Sequence, residues 1–145
     1  MQLEPIFAAL FDLIWPIAST TFKNDRATAR TLRHWNDVAP EEMPALFMAQ
    51  GDPSPSNVVN GQPPKWMLSA SLYLYVRRDG DLSPGEVLNP ILDGIIASFN
   101  PNAIGAPQRL GGLVQWARID GTIDTSEGTL GDLEVAVVPI RLLTV

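Results

Sequence analysis

Hydrophobic residues near the start of the chain recur every three or four positions. This spacing places them on one face of a helix, so it predicts an amphipathic helix over residues 3–14. We expect the helix to end there because Pro16 cannot donate a hydrogen bond to the preceding turn. The residues of the apolar stripe are Leu3, Ile6, Phe7, Leu10, Leu13 and Ile14.

Alternation of apolar and polar residues is clearest between Lys65 and Arg77, which predicts a strand with one buried face. Two less regular strand candidates come before it, over residues 29–35 and 44–50. A segment rich in Asn, Asp and Pro joins these two candidates, as is typical of a turn. The residues of the apolar face of the clearest strand are Trp66, Leu68, Ala70, Leu72, Leu74 and Val76.

A second helix is predicted to begin after Ser83, because the order Ser-Pro-Gly-Glu is a capping box with proline at the first helical position. We expect it to reach about Phe99. Pro90 conflicts with an unbroken helix, and Asn89-Pro90 could act as a second cap that restarts it. The predicted buried stripe contains Leu88, Ile91, Leu92, Ile95, Ile96 and Phe99.

The last part of the chain predicts two strands, over residues 113–123 and 133–143, joined by a long polar tip. The second of them is apolar on both faces, but Pro139 interrupts its ladder and indicates an edge or a bulge. We therefore expect one face or edge of this strand to meet another chain. The order of elements predicts an α+β fold, with a mainly antiparallel sheet of about five strands and two helices packed against it.

Two irregular segments are candidates for contacts with other molecules. Residues 51–64 contain four prolines and two glycines, which exclude a helix or a central strand, and long loops of this kind are often functional. The polar tip at residues 124–131 is the second candidate. As assembly-interface residues we select Asp52, Pro53, Pro55, Val58, Val59, Pro63, Asp124, Glu127 and Leu130.

Length and composition fit one domain spanning residues 1–145. The 46% of hydrophobic residues exclude intrinsic disorder, while 18% of charged residues is low and hints at surface reserved for assembly. The net charge of −6 argues against tight nucleic-acid binding, which needs a basic patch. The longest apolar stretch is too short to span a membrane, and it lacks the features of a signal peptide. Because the chain has no cysteine, nothing marks an oxidising compartment, and we expect a cytosolic address.

The inventory of reactive side chains is small. The chain has no cysteine and one histidine, His34, for which a structural role is favoured over general-base catalysis. The acidic residues from Asp120 to Glu127 superficially resemble a calcium loop, but the glycine and the final glutamate are misplaced. We therefore expect neither an enzyme nor a bound metal or cofactor.

The order and spacing of several segments carry a resemblance that covers almost the whole chain. After the N-terminal helix come RTLRHWNDVAPEEMPALFMAQGD, PPKWMLSASLYLYVRRDGD, SPGEVLNPILDGI, LGGLV and IDGTIDTSEGTLGDLEVAVVPIRLL. This order resembles the small tail terminator (tail completion) proteins of long-tailed bacteriophages. The resemblance implies an α+β fold and a homo-hexameric ring that caps the tail tube, ends its polymerisation and provides the surface for joining the head. It assigns no catalytic role to any residue.

The partners implied by this resemblance are the major tail tube protein and a connector protein of the neck. Double-stranded DNA would pass through the ring without specific binding, and six copies with a net charge of −6 give a ring of −36 that repels phosphate. The expected location is the head-proximal end of the virion tail, and the host cytoplasm during assembly. Two alternatives stay open: a head-completion or connector adaptor of the phage neck, and a small ligand-binding domain.

Overall fold

The computed structural model shows a mainly antiparallel sheet with two helices on one face. It describes residues 2–21, 28–56, 59–100, 105–126 and 131–145. The strands follow the order β1-β2-β4-β7-β5, with β3 beside β4 and β6 beside β7. This arrangement confirms the predicted α+β class. The elements are α1 (Leu3–Thr21), β1 (Thr28–Ala29), β2 (Ala45–Gln50), β3 (Ser54–Ser56), β4 (Lys65–Arg77), α2 (Pro84–Phe99), β5 (Val114–Ile119), β6 (Asp124–Thr125) and β7 (Leu133–Thr144).

Strand β4 lies near the centre of the sheet and has the predicted bounds. It pairs with β2 on one side and with β7 along most of its length on the other. Leu68, Leu72 and Leu74 on its predicted apolar face are fully buried beneath α1 and α2. The alternating pattern therefore identified both the strand and the face on which the helices pack.

Helix α1 is longer than predicted, because it continues through Pro16 to Thr21. Proline at this position removes one hydrogen bond, the one to the carbonyl of Asp12. Asp12 lies on the exposed side of the helix, where water can replace the missing donor. The buried stripe is confirmed by Ile6, Phe7 and Leu10.

Helix α2 has the predicted start, and the Ser83 hydroxyl accepts a hydrogen bond from the backbone N–H of Glu86 at 3.3 Å. The possible restart at Asn89-Pro90 does not occur, since one continuous helix contains Pro90. Both of these residues are exposed, so the lost backbone bond faces solvent. Within the predicted stripe Ile96 is the exception, because 41% of it is exposed.

The strand predicted over residues 29–35 is wrong beyond Ala29. The chain instead makes short 3₁₀ turns at Trp35–Asp37 and Pro40–Glu42, and β1 pairs with β2 in parallel. These turns cover one end of the opposite sheet face and form a second, smaller core. Its buried residues are Val38, Met43, Ala45, Phe47, Tyr75 and Leu133.

Pro139 does not lie on a sheet edge, since β7 has β4 on one side and both β5 and β6 on the other. The predicted irregularity is real, because β5 leaves the ladder after Ile119 and β6 joins it only at Asp124. In this gap the Pro139 carbonyl accepts a hydrogen bond from the Asp120 N–H at 3.0 Å. The register places Asp120 opposite Pro139, so the proline lacks the return N–H bond of this pair, and the ladder with β5 ends there. The expected contact with another chain stays a prediction.

Candidate assembly surface

The segment predicted as a loop at residues 51–64 is partly a strand. Strand β3 continues along the same edge of β4 that β2 occupies, so the chain forms one long hairpin. The pairing changes by one residue between Gln50, opposite Ala70, and Ser54, opposite Met67. This shift is a β-bulge, and a proline such as Pro55 is tolerated in the strand beyond it because β3 is an edge.

Gly51 allows the bulge to lie close against β4. Its N–H donates to the carbonyl of Ser69 at 2.8 Å. A Cβ at position 51 would lie 2.0 Å from the Ser69 hydroxyl oxygen, which is closer than such atoms can approach. Glycine therefore lets the two strands approach closely without a change of the Ser69 rotamer.

An ion pair ties the base of this hairpin to the first helix. The Arg30 guanidinium pairs with the Glu4 carboxylate and also donates to the Gln50 side-chain oxygen at 2.8 Å. The hydrogen bond from Arg30 lowers the pKa of Glu4, and the same bond raises the pKa of Arg30. Arg30 thereby links α1 to the last residue of β2.

The selected interface residues fall into two separate groups. Asp52, Pro53 and Pro55 are exposed on the bulge and on β3, and the connection that follows exposes Val59 and Pro63. Val58 from this first group lies outside the described residues.

The second group was expected on the polar tip, but Asp124 is an exposed residue of β6, paired with Val137. Val137 is opposite Tyr73, whereas β3 pairs with β4 near Met67. Six residues of a strand span about 20 Å, so the structure does not bring the two groups together. Glu127 and Leu130 lie outside the described residues.

A larger surface was predicted only in part, through the expectation that one face or edge of the last strand meets another chain. One face of the sheet carries α1 and α2, and the turns at residues 35–42 cover only one end of the other face. The rest of that second face is at least partly accessible, and we call it the open sheet face. It contains Ala49, Met67, Ser69, Ser71, Tyr73, Trp116, Arg118, Asp124, Val137, Pro139, Arg141 and Leu143.

Two arginines stand side by side on the open sheet face. Arg118 of β5 is directly opposite Arg141 of β7, and both are exposed. The Arg118 guanidinium lies 4.1 Å from the centre of the Trp116 ring and pairs with the Asp120 carboxylate at 3.3 Å. Like charges in directly opposite positions destabilise a sheet. A negative charge near this pair would therefore reduce the repulsion between the two arginines.

His34 has a structural role at the start of the first 3₁₀ turn, although it does not lie in a strand as its surroundings indicated. Its Nδ1 accepts a hydrogen bond from the Asn36 N–H at 3.1 Å, and its ring lies 5.0 Å from the Trp35 ring. No group of three His, Asp or Glu side chains among the described residues converges to hold a metal ion.

Two grooves lie away from the selected residues. One of about 350 Å³ combines apolar and charged walls, from Pro40, Met43, Pro44, Arg77, Arg78, Asp79 and Val87. The other, of about 380 Å³, is lined by Gln2, Pro5, Ile6, Gly112, Leu113, Thr144 and Val145.

Comparisons with models of known protein families and with curated protein sequences give no match for this chain. In the part of the chain that the structure describes, neither helix has the length and apolarity needed to cross a membrane.

Proposed function

We propose that this protein is a tail terminator of a long-tailed bacteriophage or prophage, forming a hexameric ring on the end of the tail tube. The proposal begins from the resemblance in the order and spacing of its segments. The main structural support for the proposed function is the open sheet face. A chain that leaves apolar side chains such as Met67, Trp116 and Leu143 partly exposed beside charged ones has a surface suited to contact with another protein.

The hairpin of β2, β3 and β4 adds a second contact region in this proposal. Its exposed end carries Pro53, Pro55 and Val59, and 55% of Val59 is accessible to solvent. An apolar side chain at the end of a hairpin gains stability when it docks onto another protein. In the proposed ring this end meets the tube protein or a neighbouring subunit, and the protein itself carries out no catalysis.

The test is addition of the purified protein to polymerising tube protein from the same phage or prophage. We expect electron microscopy to show shorter tubes with a ring on one end, and the tube length to fall as the protein concentration rises. Unrelated bovine serum albumin at equal concentration is the control. An unchanged length distribution without rings would refute the proposal.

The same mixture separates the proposed function from its nearest alternative. A connector adaptor of the neck would leave the tubes unchanged and would instead bind the portal side of a DNA-filled head. A small ligand-binding domain would bind neither particle. Co-sedimentation with tubes and with heads in parallel therefore distinguishes the three functions.

A further inference from the structure

The charges of this chain are divided between its two layers. Neither helix contains a lysine or an arginine, whereas together they carry four acidic residues, all exposed. On α2 these acids are Glu86 and Asp93, and the exposed surface of the same helix includes Pro90, Ile96 and Ala97. The outer surface of α2 is therefore acidic and partly apolar.

The open sheet face is basic where Arg118 and Arg141 are opposite each other, and its acidic residue Asp124 lies four residues further along β7, opposite Val137. Asp120 pairs with Arg118, but within the described part of the chain no carboxylate lies within 4 Å of the Arg141 guanidinium. The Arg118 guanidinium stacks on the Trp116 ring, and Arg118 is directly opposite Arg141 in the sheet. A carboxylate supplied by another molecule would relieve their repulsion.

The shape of the open sheet face also fits a helix. Ala49, Ser69 and Ser71 are small residues on β2 and β4, and larger side chains flank them, with Tyr73 towards one end and Met67 towards the other. Two neighbouring strands cover about 10 Å, which is close to the diameter of an α-helix. A helix with a small outward residue, such as Ala97 of α2, can approach such a surface closely.

We propose that α2 of a second copy of this chain docks onto the open sheet face, with its acidic side chains towards Arg118 and Arg141. The contact joins different surfaces of the two copies, so the pair still has a free sheet face on one copy and a free α2 on the other. Contacts of this kind close into rings when the rotation between copies allows it. The inference rests on the proposed function, because it names the contact that would repeat around the proposed ring.

Cross-linking tests this contact directly, since the chain has no cysteine of its own. One preparation carries Ser71→Cys on the open sheet face, and the others carry Asn89→Cys or Ala97→Cys on the exposed side of α2. The preparations are mixed and oxidised, with and without tube protein. We expect disulfide-linked dimers in at least one mixture of sheet-face and α2 variants, and few in any preparation alone. Asp81→Cys, on an exposed turn, is the matched control.

Exchange of the charges at positions 141 and 93 tests the electrostatic contribution to the proposed contact. In the mixture that cross-links, Arg141→Glu is expected to reduce the yield about tenfold, because it places like charges across the contact. Asp93→Lys in the α2 partner should restore the yield. Arg78→Glu, an exposed arginine outside the open sheet face, should leave it unchanged.

Three outcomes would overturn the inference: absence of cross-links in every mixture, Ser71→Cys copies that link to one another, or Arg141→Glu without effect. A different result is that no mixture cross-links, while the unmodified protein binds a short duplex DNA and the Arg141→Glu variant does not. That result would show that the two arginines bind DNA phosphate instead of a second copy. Tube capping is scored separately on the unmodified protein. Capping without these cross-links would leave the proposed function standing and refute only this contact.

Discussion

At the scale of single residues, Tyr75 shows how one hydroxyl fixes the segment that precedes β2. Its hydroxyl donates to the Arg33 carbonyl at 2.5 Å, and its ring packs against that of Phe47 with 5.7 Å between centres. Burial raises the pKa of Tyr75, with a smaller contribution from the nearby Tyr73. A raised pKa in the folded state means that this stabilisation is complete below about pH 10 and is lost as the pH rises further.

Replacement of this hydroxyl gives the first prediction. Tyr75→Phe is expected to lower the free energy of unfolding at pH 7 by about 1 kcal/mol, because the Arg33 carbonyl loses its donor. The variant should also lack the part of the alkaline destabilisation above pH 10 that comes from Tyr75. Urea unfolding at pH 7 and at pH 10.5 measures both effects. Tyr73→Phe, on the same strand and half-exposed, is the control, and an equal loss in that variant would contradict the prediction.

At the scale of elements, α2 combines a favourable start with an unfavourable interior residue. The Ser83 hydroxyl caps the first turn, whereas Pro90 removes the hydrogen bond that position 90 would make to the Glu86 carbonyl. The buried residues Leu88, Ile91 and Ile95 lie on both sides of this proline. Packing of the apolar face therefore keeps the helix continuous despite the missing bond.

The second prediction follows from this balance. Pro90→Ala is expected to raise the free energy of unfolding by about 1–3 kcal/mol, since it restores the backbone bond on an exposed face. Ser83→Ala is expected to have the opposite effect and to lower the free energy of unfolding by about 1 kcal/mol, because the helix loses its cap. Chemical denaturation followed by circular dichroism measures both. A loss of stability in Pro90→Ala would show that the proline favours the folded helix.

Elements with a sustained period could be predicted from the sequence, and those without one could not. β4 and α2 each bury a repeating set of residues, so their bounds followed from the pattern. β3 and β6 are two or three residues long and contain Pro55 and Asp124, so they exist only through pairing with β4 and β7. The selected interface residues share this limit: local composition indicates exposure, but not which exposed residues lie together.

The open sheet face shows the same limit more strongly. Alternation in β4 assigns its residues to two faces, and the apolar face was correctly identified as buried. Whether the other face is covered depends on where the segment at residues 35–42 folds, which is a long-range property. The opposition of Arg118 and Arg141 depends equally on the register between β5 and β7. Neither the coverage of this face nor the opposition of the two arginines can be predicted from short stretches of the sequence.

At the scale of the whole molecule, two cores share one sheet. The larger core lies between the sheet and the helices and includes Leu72, while the smaller core lies beneath the turns at residues 35–42 and includes Met43. β2 and β4 contribute buried residues to both cores. We therefore expect the two cores to unfold together.

This expectation is the third prediction. Leu72→Ala should lower the free energy of unfolding by about 3–4 kcal/mol, and Met43→Ala by about 2 kcal/mol, because the smaller core lies near the surface and can partly close the cavity. In both variants circular dichroism and tryptophan fluorescence should give the same midpoint in guanidinium chloride. Separate midpoints in Met43→Ala would show that the smaller core unfolds on its own.

The bulge and the proline on β3 affect how the molecule behaves at high concentration. A regular, exposed strand edge is a template on which further chains can add without end, as happens in fibres. Pro55 has no N–H to offer an incoming strand, and the bulge before it interrupts the flat line of backbone groups. Strand addition at this edge is therefore disfavoured. Such an edge lowers the tendency of the protein to aggregate when its concentration is high.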